Sequence, residues 1–379
     1  MDNPFTYGGI VTDQHFADRA AEMEELSREM QNLNRVFLVS PRRFGKTCLL
    51  FNLMARLRQE GMAVAYLDLN ACPDLASLAV SLTQATSRVL ETNTEKLLKA
   101  FSALKRLRPR VSVGADGGIS AGVELAGESR EGVFALLEGM RHAEDLARRK
   151  DRKLVVVMDE FSDLPKYNGG TVEKAMRSEI QQHTRIGYIF SGSEHAVMLA
   201  MCRDRRRAFY KMGRLMELGP IPRGVYAEFV QGWMKKGGRT VSRDDLDRLF
   251  FLSDDIPYNI QRMCHTLWEQ TRDVPSVSRD RIEGLPHLIA RQDSAHFELV
   301  WQSASQQQKA LLMALAEEPK AKPFSRDFQL KYAIGPSSSI KASLESLVRK
   351  GILTRSRSGA YRFADTFMRY WVLNLGEPS

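Results

Sequence analysis

The stretch "FLVSPRRFGKTCLL", residues 37–50, decides the fold. A short apolar run of the kind that makes a buried strand enters the eight-position spacing of a phosphate loop and leaves as an apolar-striped helix. In "SPRRFGKT" Gly45, Lys46 and Thr47 are intact and only the first position departs, Ser40 standing where glycine is usual. Such a loop needs backbone amides curving around phosphate, a lysine charge reaching its oxygens and a hydroxyl for magnesium. Ser40, Pro41, Arg42, Arg43, Phe44, Gly45, Lys46, Thr47 and Cys48 are therefore the residues expected around the nucleotide. Ser40 lacks glycine's freedom at positive φ, so it weakens the loop only if its backbone requires that conformation.

Working outward, "HFADRAAEMEELSREMQNLN" at 15–34 has helical apolar spacing, and "RVFLVS" after it reads as a strand. The helix from Thr47 stops near Gly61, and "MAVAYLDLN" makes a second strand ending at Asp68 and Asn70, which completes a βαβ unit. The continuous apolar run of "KLVVVMDEFSDL" suits a central parallel strand buried on both faces. At its end Asp159 is placed to hold magnesium and Glu160 to direct the attacking water. A further strand, "RIGYIFSGS", ends in Ser191 and Ser193, which either sense the γ-phosphate or form an ordinary loop.

Other segments break this α/β rhythm. One or two helices are expected over 75–107, followed by a hairpin in "PRVSVGADGGISAGVELAGESR" that turns through "GADGG", then helices at 129–150 and 172–183. From about 216 the pattern is helical without long strands, and from about 293 helix, turn, helix and a short strand pair follow, with "SRSGA" at the tip of the pair. The expected architecture is an α/β phosphate-loop core with a parallel sheet over 1–215, including a hairpin insertion around 108–130. A helical lid at 216–292 and a winged helix at 293–379 complete it.

Composition narrows the class. The 379 residues suit two or three domains. Four Cys without metal-ligand or CxxC spacing speak against a disulfide framework or structural zinc. The first residues lack the pattern of a secretion signal, and no run reaches the roughly 18 apolar residues of a membrane span. A cytoplasmic protein without membrane insertion is expected. The net charge of +9, from 55 basic and 46 acidic residues, favours acidic partners such as nucleotide or nucleic acid and also describes many ordinary proteins.

"PRRFGKT", "DEF" and "FSGS" together resemble the archaeal-type ATPase family within the AAA+ and signal-transduction ATPases. "NPFTYGGIVTDQHFADRAAEMEEL" resembles its N-terminal pattern through Phe5, Gly9, Phe16, Arg19 and Glu22. The resemblance implies ATP or ADP with Mg2+ as cofactors, Thr47 and Asp159 as metal ligands, and Phe5, Ile10 and Val11 near the adenine. Phe5 and Ile10 also suit the end of a core. "FYKMGRLMELGPIPRGVYAEF" is similar to the segment that carries a γ-phosphate-facing arginine, here Arg214, acting in its own chain or across a subunit boundary. Neighbouring Arg203, Arg205, Arg206, Arg207 and Lys211 are equally consistent with a solvated basic face. "DDIPYNIQRMC" resembles the lid motif, with Asp255 in place of glycine and Pro257 either touching nucleotide or starting a helix.

In the tail, "GPSSSIKASLESLVRKGIL" offers Ile340, Leu344 and Leu347 to a core, leaving Ser337 to Ser339, Lys341, Arg349 and Lys350 as exposed contacts. With Arg355, Arg357 and Arg362 on the wing, this module suits duplex DNA, while winged helices also serve as protein docking or autoinhibitory modules. Tyr361, Phe363, Phe367, Tyr370 and Trp371 read as core rather than as a base-stacking platform. The expected function is a magnesium-dependent ATP switch coupled to DNA, a protein partner or a homo-oligomer. The alternative is a nucleotide-stabilised DNA-binding or scaffold protein with little hydrolysis.

Overall fold

The computed structural model describes residues 1–17, 19–91, 108–113, 119–124, 129–167, 170–356 and 359–375. Among these no helix is long and apolar enough to cross a membrane. Two compact units emerge, one of Ile10–Pro220 and one of Met1–Gly9 with Ile221–Ser379. The first nine residues thus sit with the helical unit, not with the core to which the sequence assigned them.

In the first unit, α1 (Ala20–Gln31), β1 (Arg35–Val39), α2 (Lys46–Gln59), β2 (Ala63–Asp68) and α3 (Leu75–Leu90) run in sequence. The hairpin strands β3 (Arg108–Val113) and β4 (Ile119–Glu124) follow, then α4 (Ser129–Arg149), β5 (Leu154–Asp159), α5 (Gly170–Ile180), β6 (Ile186–Gly192), α6 (His195–Arg203) and β7 (Arg214–Glu217). The hairpin is antiparallel as expected, while its "GADGG" turn and the helical expectation at 92–107 lie outside the described residues. The main sheet has the order β2-β5-β6-β1-β7, with every pair parallel.

Strand alternation divides the core between the two faces of this sheet. Phe37, Val39, Leu154, Val156 and Met158 pack with Leu78 and Leu82 of α3 and Leu136 and Met140 of α4. Val36, Leu38, Val155 and Val157 pack with Leu26 and Met30 of α1 and Leu49, Leu50 and Leu53 of α2. All six residues of β5 are buried, which is why that segment reads as an unbroken apolar run. Because the strands are parallel, β1, β2, β5 and β6 all end at one edge, and that edge receives the phosphate loop and the acidic pair.

The second unit holds α7 (Arg223–Lys236), α8 (Arg243–Leu252), α9 (Pro257–Gln270), α10 (Arg279–Gln292), α11 (Ser294–Gln302), α12 (Gln306–Glu317) and α13 (Arg326–Lys331). It ends with α14 (Ser337–Arg349), β8 (Leu353–Arg355), β9 (Tyr361–Phe363) and α15 (Thr366–Leu375). A reciprocal capping box between Ser305 and Gln308 starts α12. Ile340, Leu344 and Leu347 are buried as their spacing predicts, and β8 pairs antiparallel with β9 to form a wing. Of the wing tip, 357–358, including Arg357, lies outside the described residues. Tyr361, Phe367, Tyr370 and Trp371 are buried, in keeping with a core role.

Candidate functional site

β1 delivers the chain into the loop, where Gly45, at φ 82, caps the start of α2. That left-handed backbone suits glycine, and a Cβ there would meet nothing within 4 Å, so the space above the turn is open. Among the described residues no side chain caps α2, and its first turn contains no acid. A helix start left in this state favours an anion through its amide groups and its dipole. Arg19, buried to 4% exposure, braces the loop from behind by donating to the Phe44 and Gly219 carbonyls at 3.0 and 2.8 Å and pairing with Glu22.

Ser40 is fully buried, donates its amide to the Gly192 carbonyl at 3.2 Å and its hydroxyl to the Pro41 carbonyl, and is absent from the positive-φ residues. The left-handed non-glycine position in the loop is Arg43, at φ 72. Serine at the entrance therefore imposes no backbone strain.

Lys46 lies across the edge of the sheet. Its ammonium donates to Asp159 Oδ1 at 2.6 Å and to Glu160 Oε1 at 2.9 Å, with the Lys46 and Asp159 side chains almost fully shielded. The Glu160 amide donates to Asp159 Oδ1, and the Tyr66 hydroxyl to Asp159 Oδ2 at 3.2 Å. Glu160 Oε2 accepts from the Ser193 hydroxyl at 2.9 Å and from its amide at 3.3 Å. Glu160 itself has a left-handed backbone, φ 49, the kind of strain that persists where a site demands it. Phosphate loop, acidic pair and Ser193 thus form one bonded cluster built from three strand ends.

Asp68 ends β2 beside Asp159 in register. Burial, and then the charges of Asp159 and Glu160, push its carboxyl above the ordinary carboxylate value against the opposing Asn70 amide bond. Burial and the Asp159 charge likewise push the Tyr66 phenol well above its usual range, so it remains a donor. The Ser191 hydroxyl is fully enclosed and, among the described residues, has no hydrogen-bond partner. Magnesium takes oxygen donors, and Asp159, which already pairs with an ammonium, offers a carboxylate of the kind that ion takes.

The more distant expectations fare differently. Arg214 opens β7 opposite Val36, near the start of β1, whereas the phosphate loop follows the other end of β1. Its guanidinium is held by Glu25 and Glu29. Strand polarity therefore removes Arg214 from the phosphate end of its own chain. Arg203 pairs with Glu217, Arg206 with Asp204 and Arg207 with Glu173, while exposed Arg205 has no ion pair among the described residues.

Phe5 is fully buried in the helical unit, edge-on to Phe229 and Trp268, and there it takes the core-sealing role instead of the adenine-facing one. Ile10 is half exposed, which excludes the core role for it, and the Val11 amide donates to Cys48 Sγ while Asn52 binds the Val11 carbonyl. Asp255 adopts φ 55, the conformation a glycine would supply, and its carboxylate accepts from Arg223 Nε and Nη2 at 2.7 and 2.8 Å. Pro257 starts α9 at its first turn, and its carbonyl accepts from Tyr226.

Sequence reasoning missed Tyr66 and left Arg19 without a role. Tyr66 gave no signal beyond its place in a strand, whereas Arg19 stood within the N-terminal pattern.

The family described as a probable winged helix domain matches residues 295–374. No curated protein matches the chain. Among solved structures, the chain is similar to the Walker-type ATPase PABY2304 of Pyrococcus abyssi, at TM-score 0.63 and 17% identity over 98% of this chain and 99% of that one. It is also similar to the ORC2 protein of Aeropyrum pernix in its ADPNP-ADP complexes, at TM-score 0.53 and 15% identity over 98% and 97%. The chain shares the fold of these structures, with a parallel-sheet α/β core followed by helices, and its C-terminal part matches a winged helix domain.

Proposed function

We propose that this protein binds ATP with magnesium, hydrolyses it, and uses the loss of the γ-phosphate to alter what its winged helix contacts. The observation that carries this reading is the buried bridge from Lys46 to Asp159 and Glu160 beside an uncapped, glycine-entered helix start. Amides of residues 40–48 and Lys46 bind the phosphates, and Thr47 and Asp159 hold the metal. Magnesium, when bound, neutralises charge on the phosphate oxygens. Glu160 accepts a proton from the water that attacks the γ-phosphorus as the bond to ADP breaks. Ser191 and Ser193 report the change, and Ile10 and Val11 face the base. With Arg214 removed from this role in its own chain, Arg205, without an ion pair among the described residues, is the guanidinium of its segment for a neighbouring copy's phosphate.

We assign duplex DNA as the partner of residues 293–379. Lys341, Arg355 and Arg362 are exposed and free of carboxylates among the described residues, as a phosphate-binding surface requires. The second reading, a nucleotide-stabilised DNA-binding protein or scaffold with little turnover, draws on Glu160, whose two oxygens are both engaged, by Lys46 and Ser193.

Phosphate release by wild type and Glu160→Gln, with and without duplex DNA, separates the two. A base at Glu160 predicts a loss of about 100-fold or more with ATP binding retained. Equal release by both proteins would remove Glu160 as the base, and tight ATP binding without release by wild type would select the scaffold.

A further inference from the structure

Asp159 is held by donors from three directions. Lys46 Nζ and the Glu160 amide share Oδ1, and Tyr66 alone among the described residues donates to Oδ2. Tyr66 belongs to β2, the strand beside β5, where it stands opposite Val157. Its ring packs against Phe51 of α2, with centroids 5.2 Å apart, so packing sets the direction of the phenol.

The three donors respond differently to an incoming nucleotide. Lys46 is drawn to phosphate and leaves Oδ1, whereas Tyr66 lies on the strand side and has no phosphate to follow. The surviving side-chain restraint on the carboxylate is then the Tyr66 hydroxyl.

We propose that Tyr66 is a positioning residue for divalent-metal binding: by holding Oδ2 it fixes the Asp159 carboxylate and presents Oδ1 to the ion that accompanies the nucleotide. This rests on the reading of Asp159 as a metal ligand. A carboxylate already fixed by one oxygen gives up less freedom on coordination, and hydrogen-bond partners behind a metal ligand typically change metal affinity about 10- to 100-fold. A ring that served packing alone would leave metal affinity untouched when its hydroxyl was removed.

Tyr66→Phe keeps the ring on Phe51 and deletes only the hydroxyl. Two quantities are measured for wild type, Y66F and Asp159→Asn: ATP affinity in chelator by calorimetry, and Mn2+ affinity of the ADP-bound protein by electron paramagnetic resonance. Y66F should bind ATP in chelator like wild type, melt as a folded protein and bind Mn2+ about tenfold or more weakly. Unchanged Mn2+ affinity in Y66F beside a loss in D159N overturns the positioning role and spares the metal-ligand reading. Unchanged Mn2+ affinity in D159N overturns both.

Discussion

In the sheet unit, Lys46, Asp159 and Glu160 are bonded to one another and largely screened from water. In the winged helix, Lys341 and Arg362 stand exposed without side-chain partners among the described residues, and Arg355 lies over the face of Tyr361. Ion pairs removed from water are costly to assemble, and their attraction offsets that cost only when the geometry is good and the remaining lone pairs are satisfied. Every oxygen of the acidic pair meets this condition, through Lys46, Tyr66, Ser193 or the Glu160 amide. Exposed cations require no such support, and they remain available to a polyanion. The first region therefore has properties of a reaction site, the second those of a surface whose ligand arrives with its own charge.

Breaking the buried cluster should have the larger effect. Lys46→Ala removes a charge-assisted bond to phosphate, a loss of about 1.5–3 kcal/mol, or roughly 10- to 100-fold in ATP affinity by calorimetry. It also leaves Asp159 buried without its cation, which should lower unfolding stability by about 3 kcal/mol in a denaturant titration of the nucleotide-free protein. Unchanged ATP affinity would refute the phosphate-loop assignment. Stability equal to wild type would show that the carboxylates find other partners once the lysine has gone.

At the other region, Lys341→Ala, Arg355→Ala and Arg362→Ala combined should leave both ATP affinity and folding almost untouched. Their signature lies in the salt dependence of duplex binding, where the log–log slope should fall by about one for each phosphate that is no longer neutralised. Identical slopes for wild type and the triple variant would remove this surface from DNA binding. No duplex binding at low salt, with or without ATP, would reassign the module to a protein partner. Within the serine run Ser337 accepts from Gln329 and Ser339 donates to Gln307, which leaves the exposed Ser338 as the hydroxyl open to a phosphate.

What the sequence made legible follows the same division between local pattern and tertiary placement. β5 could be read because burial on both faces writes an unbroken apolar run, and α14 because its apolar residues recur at helical spacing. β7 could not. It has four residues, one of them buried, and an edge strand that short leaves no periodicity to recognise. With the strand unseen, Arg214 could be matched only to a segment, and its position at the far end of the sheet was hidden. Phe5 stayed open between two roles for a related reason, because a lone aromatic near the N-terminus carries no mark of the helices that enclose it. Arg19 was visible within a pattern, yet its work on the Phe44 carbonyl exists only once residues 25 positions apart have met.

Ser40 offers the smallest and sharpest test of how that loop operates. A requirement for glycine at its first position would show as positive φ, and in this chain the left-handed conformations fall later, at Arg43 and Gly45. The Ser40 hydroxyl reaches only the adjacent Pro41 carbonyl, while its amide bond to Gly192 is independent of the side chain. Ser40→Gly should therefore change ATP affinity by less than about twofold. It should also cost about 0.5 kcal/mol of stability through the freer unfolded chain, read from denaturant midpoints. A tenfold gain in affinity would mean that serine constrains the loop's nucleotide-bound form in a way its present backbone does not display. The departure at the entrance would then be a brake on the site, and the buried bridge below it would be the resting state that the brake preserves.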